Sequence, residues 1–91
     1  MVEKKLVLIE LLVENMEEGR ELANVISEVA RKLKGYDVKT LIKSVYDDEV
    51  ISRYGILISP SIAINGVLMA IGHIPSEPEL KDMIVRSTLR I

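Results

Sequence analysis

Carboxylates gather at the start of the first amphipathic segment, and their spacing raises the question of acid–base chemistry. Glu17 and Glu18 follow Asn15 in the stretch VENMEEGRELANVISEVARKL, Val13 to Leu33. They could form a general acid–base pair, but adjacent residues on a helix point about 100° apart. Asn15 is placed to cap the helix, with Glu18 three residues on in a capping-box pattern. We therefore interpret these carboxylates as helix-capping residues.

Ser59 and His73 are a second combination that could do chemistry, as a nucleophile and its base. Such a pair needs hydrogen-bond reach, an orienting carboxylate and oxyanion donors, and the spacing indicates none of these. A lone histidine also lacks a second ligand for a metal. The acidic run Asp47-Asp48-Glu49 is typical of the first turn of a helix. We expect no catalytic residue, no cofactor and no metal, and hence no enzyme.

The composition excludes several classes of function. The chain has 91 residues, 48% of them apolar and 29% charged, with no cysteine and a net charge of -2. Without cysteine there are no disulfides, thiolate metal sites or thiol redox chemistry. The slight negative charge gives no reason to bind nucleic acid. The absence of Gln and Cys beside many Lys and Glu leans toward a heat-adapted source.

The apolar run from Leu6 to Val13 is the only segment that resembles a targeting sequence. Glu10 interrupts it, acidic residues follow it, and it is far too short to cross a bilayer. A buried strand explains it better. We therefore expect a cytoplasmic protein with no membrane partner.

The elements that must position these residues follow from hydrophobic periodicity and turn signals. The predicted strands are Lys5–Val13, Tyr36–Val45, Ser61–Asn65 and Val67–Ile71; the predicted helices are Met16–Lys34, a short one capped by Asp47 that stops at Gly55, and a last one capped by Ser76. The first β-α-β unit should make its strands parallel, and Asn65-Gly66 should form a tight hairpin.

The order β-α-β-α-β-β-α predicts a single α/β domain over residues 1–91, with a mixed four-stranded sheet flanked by helices. An alternative is a ferredoxin-like fold in which VRSTLRI, Val85 to Ile91, forms a final strand. The short helix after the second strand and the Ser59-Pro60 context count against it.

From Leu6 to Ile84 the chain resembles the thioredoxin and glutaredoxin superfamily, most of all its short prokaryotic thioredoxin-like redox proteins. The stretch RYGILISPSIAINGVLMAIGHIPSEPELKDMI carries most of this resemblance. The resemblance implies a thioredoxin-like fold in which Pro60 is a cis-proline at the start of the third strand. The family's Cys-x-x-Cys would fall on Met16 to Gly19, where neither cysteine is present. Dithiol activity is therefore out of reach.

What the resemblance leaves is a binding surface. Family members bind extended peptide through backbone groups beside the cis-proline, which needs no cysteine. Leu57 and Ile58 either join an exposed apolar patch there or turn inward to the core. The expected surface consists of Met16, Leu57, Ile58, Ser59, Pro60, Gly72 and His73.

The expected partner of this surface is a protein or peptide, including a second copy of the chain in a homodimer. The alternative function is an enzyme that holds glutathione or another thiol ligand through a hydroxyl group, with Ser59 or Tyr54 in place of cysteine.

Overall fold

The structure is a computed structural model that describes residues 3–89. Its elements follow the predicted order and form the predicted α/β fold with a mixed four-stranded sheet. The strands are β1 (Lys5–Val13), β2 (Tyr36–Ser44), β3 (Ser61–Ile64) and β4 (Val67–Ile71), and the helices are α1 (Met16–Arg31), α2 (Asp48–Tyr54) and α3 (Glu77–Ser87).

The sheet has the strand order β2-β1-β3-β4, so that β2 and β4 are its edges. β1 and β2 are parallel, in register from the pair Lys5–Tyr36 to the pair Val13–Ser44. β3 runs antiparallel to both β1 and β4. Asn65 and Gly66 join β3 to β4 with φ values of 50° and 81°. Two successive positive φ values are what a tight Asn-Gly hairpin turn requires.

Three element ends differ from the sequence prediction: β2 and β3 each end one residue early, at Ser44 and Ile64, and α1 ends earlier still. α1 ends at Arg31, three residues before the predicted Lys34, and Gly35 turns the chain toward β2 with φ of 85°. Leu33 continues the apolar spacing but packs on the core from this turn. The alternative fold is wrong for the residues described, because α3 continues to Ser87 where a final strand was considered. Its last two residues, 90 and 91, lie outside the described range.

The two faces of the sheet are packed differently. Alternate residues of a strand point to opposite faces, so Val7, Ile9, Leu11 and Val13 of β1 lie on one side, here named the first face. This face is covered by α1 and α3 and forms an aliphatic core; the core residues contributed by the other elements are Ile26, Val29, Ile62, Ile64, Ala70, Leu80 and Ile84. The second face carries a smaller cluster of Leu12, Val45 and Val50 against α2.

Candidate functional site

Asn15 caps α1 directly before Met16, where the resemblance places the first cysteine. Its side-chain oxygen accepts hydrogen bonds from the backbone N–H groups of Glu17 and Glu18, at 2.9 and 3.2 Å. Within residues 3–89 no return bond joins the Glu18 carboxylate to the Asn15 N–H, so only half of the predicted capping box forms. The full box occurs instead at α3, between Ser76 and Glu79. The cap therefore supplies an acceptor for two of the backbone N–H groups that have no helical partner in the first turn of α1.

The two positions where the resemblance places cysteines have different surroundings. Met16 is half exposed at the first residue of α1. Gly19 is buried, and a Cβ atom there would lie 2.8 Å from a methyl of Ile42 and 2.9 Å from one of Val13. Both neighbours are β-branched and stiff about χ1. A side chain at the second position, cysteine included, therefore requires Ile42 or Val13 to shift.

The loop before β3 is tied to both neighbouring strands by hydroxyl groups. The Ser59–Pro60 peptide bond is cis. Ser59 Oγ accepts a hydrogen bond from the Glu14 N–H at 2.9 Å, just after β1. Ser61 Oγ donates to the Ile58 carbonyl at 2.6 Å and accepts from the Gly72 N–H at 3.4 Å, just after β4. These bonds bring the ends of β1, β3 and β4 into one site.

Leu57 and Ile58 separate, one inward and one outward. Leu57 is half-buried and packs against the cluster of Leu12, Val45 and Val50. Its placement on the exposed surface was therefore wrong. Ile58 is 69% exposed and lies against Gly72, where an added Cβ atom would come within 3.4 Å of the Ile58 side chain.

Ile56 was missed from the sequence although it is 92% exposed. The run Ile56-Leu57-Ile58 carries the signal that could have identified it, because an extended chain alternates sides. With Leu57 facing inward, both isoleucines face outward. The set here named the loop surface consists of the exposed residues Met16, Ile56, Ile58 and His73 and the half-buried residues Ser59, Pro60 and Gly72.

Ser59 and His73 each form a hydrogen bond with a backbone group rather than with one another. Ser59 bonds the Glu14 N–H, and the exposed His73 ring places Nδ1 3.3 Å from the Ile71 carbonyl oxygen. Asp47, from the acidic run, caps α2 by accepting from the Glu49 N–H at 2.8 Å. Over residues 3–89 no group of three or more His, Cys, Asp or Glu side chains could hold a metal ion.

Glu10 is a buried charged residue that the sequence analysis treated only as an interruption of an apolar run. It is 2% exposed on the second face. Its carboxylate accepts hydrogen bonds from Lys43 Nζ of β2, at 2.8 Å, and from the Tyr54 hydroxyl of α2. Burial raises the pKa of Glu10, but these two hydrogen bonds and the positive charges of Lys43 and Arg53 together outweigh it, so the pKa lies below the usual 4.5.

The same contacts keep the network charged at neutral pH. The hydrogen bond to Glu10 raises the pKa of Lys43, so an ammonium faces a carboxylate. Burial, followed by the bond to Glu10, raises the pKa of the Tyr54 hydroxyl. The Tyr54 phenol therefore remains a donor, and the network ties α2 to the two parallel strands.

The model of the thioredoxin domain family matches residues 8–85 of the chain. This chain belongs to the thioredoxin domain family. The match covers well over half of its length and confirms both the predicted superfamily and the α/β fold, in a member without cysteine. A search of the curated proteins finds no match. No helix among the described residues is long and apolar enough to cross a membrane.

Proposed function

We propose that this thioredoxin-domain protein is not an enzyme and acts by holding a protein or peptide, including a second copy of itself, on the loop surface. The observation that carries the proposal is the exposure of Ile58, 69%, directly before Ser59 and Pro60. Hydrogen bonds at both ends hold this loop in place, so the large β-branched side chain of Ile58 stays in water. Its exposure is unfavourable in solvation free energy, and burial against a partner would recover that free energy.

The backbone beside Ile58 is open to a partner as well. The Ile58 carbonyl accepts from Ser61 Oγ, whereas the backbone groups of Leu57 and Ser59 enter no backbone–backbone hydrogen bond within residues 3–89. Unpaired N–H and C=O groups on an extended segment can bond an added strand. An apolar extended segment would satisfy these groups and cover Ile56 and Ile58 together.

Charge around the loop surface adds a preference. Glu14, Glu17 and Glu18 are exposed where β1 passes into α1. Tyr46 donates to the Glu14 carboxylate at 2.8 Å, which places the acidic α2 cap region, beginning at Asp47, next to it. An apolar segment flanked by Lys or Arg would complement this rim.

The alternative, an enzyme that holds glutathione or another thiol ligand, would use the hydroxyl of Ser59 or Tyr54. Ser59 already accepts from the Glu14 N–H, and Tyr54 already donates to Glu10. These bonds favour structural roles for both residues. A glutathione titration followed by NMR tests the alternative: shifts confined to Ser59, Tyr54 and their neighbours would support it, and an unchanged spectrum would reject it.

The cytoplasmic location and the heat-adapted source stay predictions.

The contact function is tested with the isolated protein as bait for a displayed library of short random peptides. We expect enrichment of apolar peptides flanked by basic residues. Ile58→Glu should bind these peptides at least about tenfold more weakly, which corresponds to a loss of about 1.4 kcal/mol of binding free energy. Val67→Glu is the matched control, because Val67 is a similarly exposed β-branched residue on β4. Equal loss in both variants, or no enriched peptide, would contradict the proposal.

A further inference from the structure

The outer edge of β2 carries unpaired backbone groups from Tyr36 to Ile42. The Lys5 N–H donates to the Gly35 carbonyl and the Val45 N–H donates to the Val13 carbonyl, each at 2.9 Å. Backbone direction alternates along a strand, so odd-numbered residues of β2 bond β1 and even-numbered ones point away from it. The outward residues are Tyr36, Val38, Thr40, Ile42 and Ser44.

These outward groups are almost free of partners inside the chain. For Tyr36, Val38, Thr40 and Ile42, no hydrogen bond to the N–H or C=O is found within the part of the chain that the structure describes. At Ser44 the carbonyl accepts from the Asp47 N–H at 3.1 Å. A nine-residue edge of this kind is a template for another strand.

We propose that the occupant of this edge is the β2 strand of a second copy, antiparallel and related by a two-fold axis through Thr40. The charges and the length of the paired edge together favour this register. With Thr40 opposite Thr40 of the second copy, Asp37 lies opposite Lys43 and Lys39 lies opposite Leu41. The axis also brings Val38 opposite Ile42, a pair of half-buried β-branched residues on the first face.

Neighbouring registers are disfavoured by like charges. Moving the axis by one residue to position 39 places Lys39 opposite Lys39 of the second copy. Moving it to position 41 places Lys39 opposite Lys43. Like charges directly opposite each other destabilise a strand pair. The axis through Thr40 avoids both, and it also places all five outward residues opposite an outward residue of the second copy.

This dimer differs from self-association through the loop surface. The two β2 strands run in opposite directions, so the loop surfaces of the two copies lie at opposite ends of one continuous eight-stranded sheet. Each loop surface stays open to its own partner. The inference therefore stands or fails independently of the proposed function.

Cross-linking tests the register, because the chain has no native cysteine. A single Thr40→Cys substitution places two thiols across the axis, where hydrogen-bonded antiparallel partners have Cα atoms about 5.5 Å apart, within disulfide range. We expect mild oxidation to link most of this variant as a dimer. Val67→Cys, on the opposite edge strand β4, is the matched control and should stay largely unlinked.

Sedimentation equilibrium tests the association itself. We expect the unmodified chain to approach twice its 10.2 kDa mass as concentration rises. Thr40→Pro should weaken association at least about tenfold, because it removes an outward N–H without breaking a bond to β1. Circular dichroism confirms that this variant is folded; if it is not, the cysteine comparison decides alone.

The remaining outcomes overturn the inference. One is a monomer at every concentration with Thr40→Cys linking no faster than Val67→Cys. Another is a dimer that persists in folded Thr40→Pro. If that dimer disperses in Ile58→Glu, self-association belongs to the loop surface, which supports the proposed function while rejecting the β2 edge.

Discussion

Ile9 and Glu10 are neighbours on β1, both fully buried, and they face opposite sides of the sheet. Ile9 packs among aliphatic side chains beneath α1 and α3, whereas Glu10 is held by Lys43 and Tyr54 beneath α2. The stability of the first face therefore depends on the shape and volume of its side chains. The stability of the second face depends on charge and on hydrogen-bond partners. The comparison shows that one strand can be stabilised by two kinds of interaction with different responses to mutation and pH.

The second face is also less completely covered. α2 has seven residues and packs near the carboxyl ends of β1 and β2. Toward the other end, a hollow of about 490 Å³ is lined in part by Leu6, Leu8 and Lys39, and Leu6 is 75% exposed. The ionic network thus lies between a small apolar cluster and a region open to water. The Lys43 side chain itself contacts water, since it is 27% exposed.

The largest expected effect is on the first face. Ile9→Ala should lower the free energy of unfolding by about 4 kcal/mol, since it removes buried methyl groups and leaves a cavity. Urea denaturation followed by circular dichroism measures this. Ile9→Val, which keeps most of the volume, should cost about 1 kcal/mol. A loss below about 2 kcal/mol for Ile9→Ala would mean that the first face is less tightly packed than the structure indicates.

The next effect is on the second face. Glu10→Ala should lower the free energy of unfolding by about 2 to 3 kcal/mol, because Lys43 loses its counter-charge and Tyr54 its acceptor. The cost falls short of that of a fully buried pair because the Lys43 side chain is 27% exposed. Glu21→Ala, at an exposed position of α1, should change stability by less than about 0.5 kcal/mol. Equal values for the two variants would show that the network contributes nothing.

A third prediction concerns the packing around Gly19. Ala normally favours a helix over Gly by about 1 kcal/mol. Here Gly19→Ala should instead destabilise by about 1 to 2 kcal/mol, because its Cβ would overlap the methyl groups of Ile42 and Val13. Thermal unfolding gives the sign directly. Met16→Ala is the matched control and should be nearly neutral; a stabilised Gly19→Ala would show that Ile42 and Val13 can move aside.

The smallest effect is the part of the pH dependence of stability that Glu10 contributes on the second face. The pKa of Glu10 is lowered in the folded protein, so its contribution is complete above the unfolded value near 4.5 and is lost as pH falls through the folded value. Stability should therefore decline on acidification below about pH 4.5. Glu10→Gln should flatten this decline, measured by denaturation at a series of pH values, while Ile9→Val leaves it unchanged. Identical slopes for wild type and Glu10→Gln would contradict the assignment.

Much of the fold could be predicted because local signals and packing agree. The period of β1, the Asn65-Gly66 turn and the caps at Asn15, Asp47 and Ser76 each fix an element independently. The end of α1 could not be fixed in this way. Leu33 lies beyond the end of α1 but keeps the apolar spacing of the helix, because it packs on the core from a turn. The apolar periodicity of the sequence therefore extends past the last helical hydrogen bonds.

The site was less predictable because it depends on relations between distant segments. Glu10 finds Lys43 only through the parallel pairing of β1 with β2, and Tyr54 only through the docking of α2. The inward turn of Leu57 depends on the cluster beneath α2. The local sequence around Glu10 or Leu57 does not indicate which residues it contacts. The one indication was that Glu10 is a charged residue in the middle of an otherwise apolar strand.

The tight contacts of Gly19 have a consequence for any attempt to give this chain a Cys-x-x-Cys motif. Two substitutions would place cysteines at positions 16 and 19, but the second side chain would overlap those of Val13 and Ile42. One of these two would first have to become smaller, and a smaller residue there opens a void beneath α1. Disulfide exchange at these positions could thus be introduced only through a less stable intermediate, which makes it difficult to gain one mutation at a time.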